Sequence, residues 1–197
     1  DRELTPEVAH TNSSADIEAA MLIAIEAAES ARGFSSPNPP VGAVILAAGG
    51  TIAGVGMTQP PGGPHAEVVA LRQAGAAAKG GTAVVTLEPC NHHGRTGPCA
   101  QALVEAGIAA VHYAIADPNP EAAGGAGALE KAGIEVTQGA RAEAVARGPL
   151  RAWLHKQRTG RPHVTWKYAA TLDGRSAAAD GTSQWITGPA ARARVHE

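Results

Sequence analysis

A chain of 197 residues, 44% hydrophobic but only 3% aromatic, has the bulk to bury a core filled by Val, Ile, Leu and Ala rather than by rings. Sixteen Lys and Arg against eighteen Asp and Glu leave a formal charge of −2, and the basic residues are scattered, so neither a nucleic-acid footprint nor a basic membrane-binding face is present. No apolar run approaches the roughly 20 residues that span a bilayer, and the first thirty residues lack a secretory pattern; a cytoplasmic protein acting on a small molecule is expected.

Residues 1–15 are polar and irregular. After them Ile17, Met21, Ala24, Ile25 and Ala28 recur at helical spacing, with Asp16 as the expected N-cap and Gly33 as the stop. The loop Ser36-Pro37-Asn38-Pro39-Pro40 leads into a predicted hairpin, residues 41–47 and 51–57, turning at Gly49-Gly50. Pro and Gly in residues 60–64 feed a helix predicted over 65–78. A strand over 82–87 breaks at Pro89-Cys90, and a helix opens at Pro98-Cys99 and closes at Gly107, with Pro at the start and Gly past the end. A strand over 110–116, a helix over 124–132 and a strand over 134–136 continue the alternation, which implies a layered α/β domain. One helix is predicted over 143–157, then a boundary at Thr159-Gly160-Arg161-Pro162, then a strand over 164–171. The expected organisation is a flexible segment 1–15, one domain over 16–160 and the start of another over 161–197. Beginning at Asp1, the chain reads as a piece of a longer protein.

The chemistry-bearing residues are few. Cys90 and Cys99 are the two cysteines, and in a reduced compartment metal or catalytic use is favoured over a disulfide across so short a loop. His65-Ala66-Glu67 stands at a helix start, and each cysteine follows a proline at an end of the strand-loop-helix connection. One imidazole and two thiolates make the three protein ligands of a catalytic zinc site, whose fourth position stays open for water. A glutamate two residues after the histidine is placed to shuttle protons rather than to fill that position. Zinc deaminases show this pattern as His-x-Glu followed by Pro-Cys-x-x-Cys. Here eight residues, 91–98, separate the cysteines instead of two. Taken singly, His-x-Glu at a helix start is a common accident and a buried cysteine an ordinary apolar residue; together, in this order, they point to zinc.

Pro37-Asn38-Pro39, His65-Ala66-Glu67, Thr86-Leu87-Glu88-Pro89-Cys90, His92, Gly94-Arg95-Thr96, Pro98-Cys99 and Asp117-Pro118-Asn119-Pro120 resemble the bifunctional riboflavin-biosynthesis deaminase/reductase family, which has this long inter-cysteine loop. The resemblance implies a cytidine-deaminase-like three-layer α/β/α sandwich with a mixed central sheet, followed by the truncated start of a dihydrofolate-reductase-like domain. It implies one catalytic Zn2+ on His65, Cys90 and Cys99, with Glu67 as the catalytic acid/base. The implied reaction is hydrolytic deamination of 2,5-diamino-6-(5-phosphoribosylamino)pyrimidin-4(3H)-one, a pyrimidine ribotide. Asn38, His92, Arg95, Asp117 and Asn119 would line its pocket, and the protein would be a homo-oligomer. Asn suits a ring edge and Arg a phosphate, although Asn38, Asp117 and Asn119 would also suit turns. In the tail, residues 167–175 and 183–187 resemble the opening of the reductase domain, implying NADPH contacts at Ala169 and Trp185 and a substrate contact at Ser183. About 35 residues are too few for a full sheet and cofactor cleft, so reductase activity and NADPH binding are expected only of an intact reductase domain. A deaminase of another nucleobase and a purely structural zinc module are the competing readings.

Overall fold

The computed structural model describes residues 12–92 and 97–196, in two compact units that meet in sequence between Pro162 and His163.

The first unit opens with helix α1 (Ser14–Ala31), whose N-cap is Ser13, not Asp16. Asp16 sits at the third helical position, where its carboxylate accepts from the Ser13 amide at 3.0 Å and hydroxyl at 2.6 Å while Ser13 Oγ accepts from the Asp16 amide at 3.2 Å. The reciprocal pair satisfies more of the helix end than either residue would alone, so the start moves back three residues. Ile17, Ala20, Met21, Ala24 and Ala28 then form the buried stripe.

Five strands follow in one sheet: β1 (Gly42–Leu46), β2 (Ile52–Met57), β3 (Thr82–Leu87), β4 (Ala110–Ile115) and β5 (Glu135–Gln138), in the order β2-β1-β3-β4-β5. β1 runs antiparallel to both β2 and β3, whereas β3, β4 and β5 are parallel. The sheet is mixed, and of its three inner strands β1 and β3 are buried along their whole length, as largely apolar strands covered on two faces are. The layers follow from the register. Ala43 pairs with Gly56, so both point to the face on which α2 (Ala66–Ala74) lies, and Gly42, one residue earlier, points the other way, against Ala24 of α1. Helices α1 and α2 therefore cover opposite faces.

Helix α3 (Cys99–Glu105), α4 (Gly125–Lys131), α5 (Ala142–Arg147) and α6 (Arg151–Thr159) complete the unit. Three sequence expectations change. The helix over 65–78 is α2 followed by a tighter turn, Gly75–Ala78, because the chain passes through Gly75 at φ +53°. The single helix over 143–157 is two, α5 and α6, parted at Gly148-Pro149, where a proline ring removes the amide that would continue α5. The strand over 164–171 does not form: residues 163–171 have no regular structure, and the second unit has no strand among its described residues to pair with it. The helix among its described residues is α7 (Pro189–Val195). No helix among the described residues is long and apolar enough to cross a membrane.

Candidate zinc centre

The placement of α2 begins with missing side chains. A Cβ at Gly54 would fall 2.2 Å from the Ala70 carbonyl oxygen, and one at Gly56 would fall 2.1 Å from that of Ala66. Bare backbone on β2 thus lets the helix lie directly on the sheet. That seat fixes the first turn of α2, where His65 is the N-cap residue in extended conformation and makes no side-chain cap bond, leaving its ring free. Glu67, in the same turn, is buried.

Cys90 comes from the other side, three residues past the end of β3, and Cys99 is the first residue of α3. His65 Nδ1 lies 3.2 Å from Cys99 Sγ and 3.6 Å from Cys90 Sγ, and the three donor atoms all fall within 4.8 Å of one another. A tetrahedral zinc with usual bond lengths of ~2.0–2.1 Å to nitrogen and ~2.3 Å to sulfur sets N···S edges of about 3.6 Å. The donor set fits zinc in chemistry and in size. Among the described residues the cluster offers three donors, which leaves one tetrahedral position without a protein ligand.

The electrostatics agree with a metal site. The Cys90 thiol is pulled down to about 4, first by a hydrogen bond from the Cys99 thiol and then by His65, against the cost of burial. Cys99 moves the opposite way, raised by that same bond to Cys90 and by burial. A coordinated dication deprotonates both. His65 is raised chiefly by its bond to Cys90. Burial pushes the Glu67 carboxyl up to about 7, helped by the Cys90 charge, and a bound dication opposes that rise.

His65, Glu67 and Cys90 line a cavity of about 240 Å³ together with Asn38, His92, Asp117 and Asn119. Every described residue expected in the deaminase pocket thus reaches one space, while Arg95 lies outside the described residues. Asp117 Oδ1 also accepts from the Asn119 amide at 2.8 Å, and Asn119 Oδ1 from the Glu121 amide at 3.2 Å, so these side chains shape their own loop as well as the wall. Burial raises the Asp117 carboxyl. Thr58, Glu88, Trp153 and Gln157 line the cavity too; none of the four is among the expected site residues, although Glu88 stands in one of the motifs that carry the resemblance. The spacing of Trp153 and Gln157, one helical turn apart on α6, was the available signal for that pair. In the second unit Ala169, Ser183 and Trp185 border a separate surface cavity of about 710 Å³. There the Arg192 guanidinium stacks 4.1 Å from the Trp185 ring centre.

Residues 14–115 match the cytidine and deoxycytidylate deaminase zinc-binding region, and residues 162–197 match the RibD C-terminal domain. The riboflavin biosynthesis protein RibD of Mycobacterium tuberculosis is 61% identical over 180 residues, 91% of this chain and 53% of its own length. The chain belongs to the RibD family. RibD of Escherichia coli is 50% identical over 179 residues, 89% of this chain and 47% of its own. The crystal structure of a diaminohydroxyphosphoribosylaminopyrimidine deaminase/5-amino-6-(5-phosphoribosylamino)uracil reductase from Thermotoga maritima superposes with a TM-score of 0.85 at 40% identity, over 92% of this chain and 52% of that one. The chain spans about half the length of these relatives. Its fold is the cytidine-deaminase-like one, and His65, Cys90 and Cys99 form the zinc site typical of it.

Proposed function

We propose that this chain hydrolyses the 2-amino group of 2,5-diamino-6-(5-phosphoribosylamino)pyrimidin-4(3H)-one, giving the 5-amino-6-(5-phosphoribosylamino)uracil and ammonia. The observation that carries the reading is the His65, Cys90 and Cys99 donor cluster, two members of which, His65 and Cys90, line one cavity with the buried carboxyl of Glu67. Similarity to RibD proteins along nearly the whole chain supports the choice of substrate. A closed structural zinc module would need a fourth protein ligand, and the cluster among the described residues has three.

His65, Cys90 and Cys99 hold the metal, which when bound supplies Lewis-acid activation of the attacking water. Glu67 takes a proton from that water and passes it to the ring nitrogen beside the attacked carbon, then takes the proton of the hydroxyl formed on that carbon and delivers it to the departing amine. The amino group leaves as ammonia and the carbon keeps the water oxygen as a carbonyl. Asn38, Asp117 and Asn119 present donors and acceptors to the pyrimidine edges. His92 borders the same space, and Arg95 is the proposed phosphate partner. In an intact reductase domain Ala169 and Trp185 would contact NADPH and Ser183 the substrate; deamination is the activity assigned to this chain.

Glu67→Gln should keep zinc at one equivalent and lose ammonia release by at least about a hundredfold, whereas Cys90→Ser should lose the metal and the activity together. The assay follows ammonia with the diaminopyrimidine ribotide beside cytidine, guanine and a transfer RNA. Undiminished turnover by Glu67→Gln would refute the proton role. Preference for one of the other three substrates would refute the substrate.

A further inference from the structure

Glu88 is buried, stands two residues before the zinc ligand Cys90, and is not used by the chemistry above. Its side chain faces backbone. Oε2 accepts from the Asp117 amide at 3.1 Å, and Oε1 accepts from the amides of Gly124 and Ala126, both at 3.1 Å. Three of a carboxylate's roughly four acceptor positions are thereby filled by main-chain donors, so little of it remains to meet a substrate. Its own amide donates to the Ile115 carbonyl at 2.8 Å, so one residue holds the end of β4, the Asp117 turn and the start of α4.

The contact beside it is equally close. A Cβ on Gly125 would fall 1.7 Å from the Pro89 carbonyl oxygen, and the Asn91 amide donates to the Ala122 carbonyl at 3.0 Å. Residues 88–91 and 117–126 are therefore stitched together at several points, and only one stitch is made by a side chain reaching to both ends of the second segment. The first segment carries Cys90. The second carries Asp117 and Asn119, the polar wall of the cavity.

We infer that Glu88 is a positioning residue that fixes the substrate-binding wall at a set distance from the zinc ligands. The inference rests on the deaminase reading for its kinetic consequence, but not for its structural one. Because the carboxylate accepts on both oxygens, an amide of the same shape cannot replace it. Glu88→Gln can keep its carbonyl oxygen toward Gly124 and Ala126, but then turns its NH2 toward the Asp117 amide, donor against donor. The variant should retain the fold and release the Asp117 turn.

In Glu88→Gln of the full chain, the expected result is one equivalent of zinc, a KM for the ribotide raised about tenfold and a kcat changed less than about threefold. Glu88→Asp, which keeps two acceptor oxygens, should recover part of the KM. Hydrogen exchange read in the same samples should show lost protection at the amides of Asp117, Gly124 and Ala126 in Glu88→Gln. An unchanged KM, or a fall in kcat that tracks lost zinc, would overturn the inference. Were the wild-type chain inert on the ribotide, the deaminase reading would fail, and exchange would still decide the tether: unchanged protection in Glu88→Gln would overturn it.

Discussion

Replacing Gly56 by Ala tests whether the sheet surface sets the zinc site. The added Cβ would stand 2.1 Å from the Ala66 carbonyl oxygen, 2.6 Å from the Ala70 amide nitrogen and 2.9 Å from Val69 Cβ. Two of these neighbours are helix backbone, which cannot rotate away as a side chain tip can. Relief requires α2 to lift by about 1 Å, and overpacking of this kind costs roughly 1–3 kcal/mol. The catalytic cost should exceed the stability cost, because the carbonyl that is struck belongs to the residue between His65 and Glu67. Displacing reacting groups by about 1 Å can reduce turnover by about a hundredfold. The variant should therefore melt within reach of wild type yet show weaker zinc binding and a much lower kcat for ammonia release. Denaturant melts, zinc titration against a chromophoric chelator and steady-state kinetics measure the three quantities. Wild-type zinc affinity and turnover in a folded Gly56→Ala protein would refute the argument that α2 is seated by the bare strand.

Stripping the metal with a chelator should lower the midpoint of thermal unfolding, because only the folded chain brings His65, Cys90 and Cys99 within 4.8 Å of one another and a ligand of the folded state alone stabilises it; equal midpoints for metal-free and zinc-loaded protein would contradict the site. The α1 capping box carries a pH signature. The Asp16 carboxyl is held below the usual aspartate range by its bonds with Ser13, so the unfolded chain binds the proton more readily. The contribution is then complete above the unfolded pKa and vanishes as pH falls through the folded one. In metal-free protein the difference in melting temperature between wild type and Asp16→Asn should shrink on going from about pH 7 to about pH 3; a difference independent of pH would refute the box.

What could be read from the sequence was whatever is local. Two apolar runs on either side of Gly49-Gly50 located the hairpin, and Pro98 with Gly107 bracketed α3 to within two residues. The zinc ligands were legible because chemistry limits them to few residue types, and the chain has only two cysteines. The missed features depend on partners distant in sequence. Glu88 earns its place through amides 29, 36 and 38 residues away, and nothing in a run of Leu-Glu-Pro announces them. Residues 164–171 are rich in β-branched and aromatic side chains, but a strand exists only if another edge is there to pair with it.

The eight residues between Cys90 and Cys99 set this chain apart from the short Pro-Cys-x-x-Cys form, yet the hydrogen bonds show how little the metal geometry has to change. In the short form the first cysteine, at i, would place its carbonyl opposite the amide at i+4, the residue after the second cysteine. Here the Cys90 carbonyl accepts from Ala100, the residue after Cys99, at 3.2 Å. A helix N-cap side chain typically accepts from the amide three positions on, and Cys90 Sγ accepts from the Cys99 amide at 3.4 Å. Cys90 thus satisfies the first two amides of α3, whose N-cap is Pro98, although it is not contiguous with the helix. The loop is spliced in at a point where the helix start is rebuilt from across the gap, so its length is uncoupled from the ligand positions. Residues placed there can then serve the pocket without disturbing the metal, and His92, on the cavity wall, already does so.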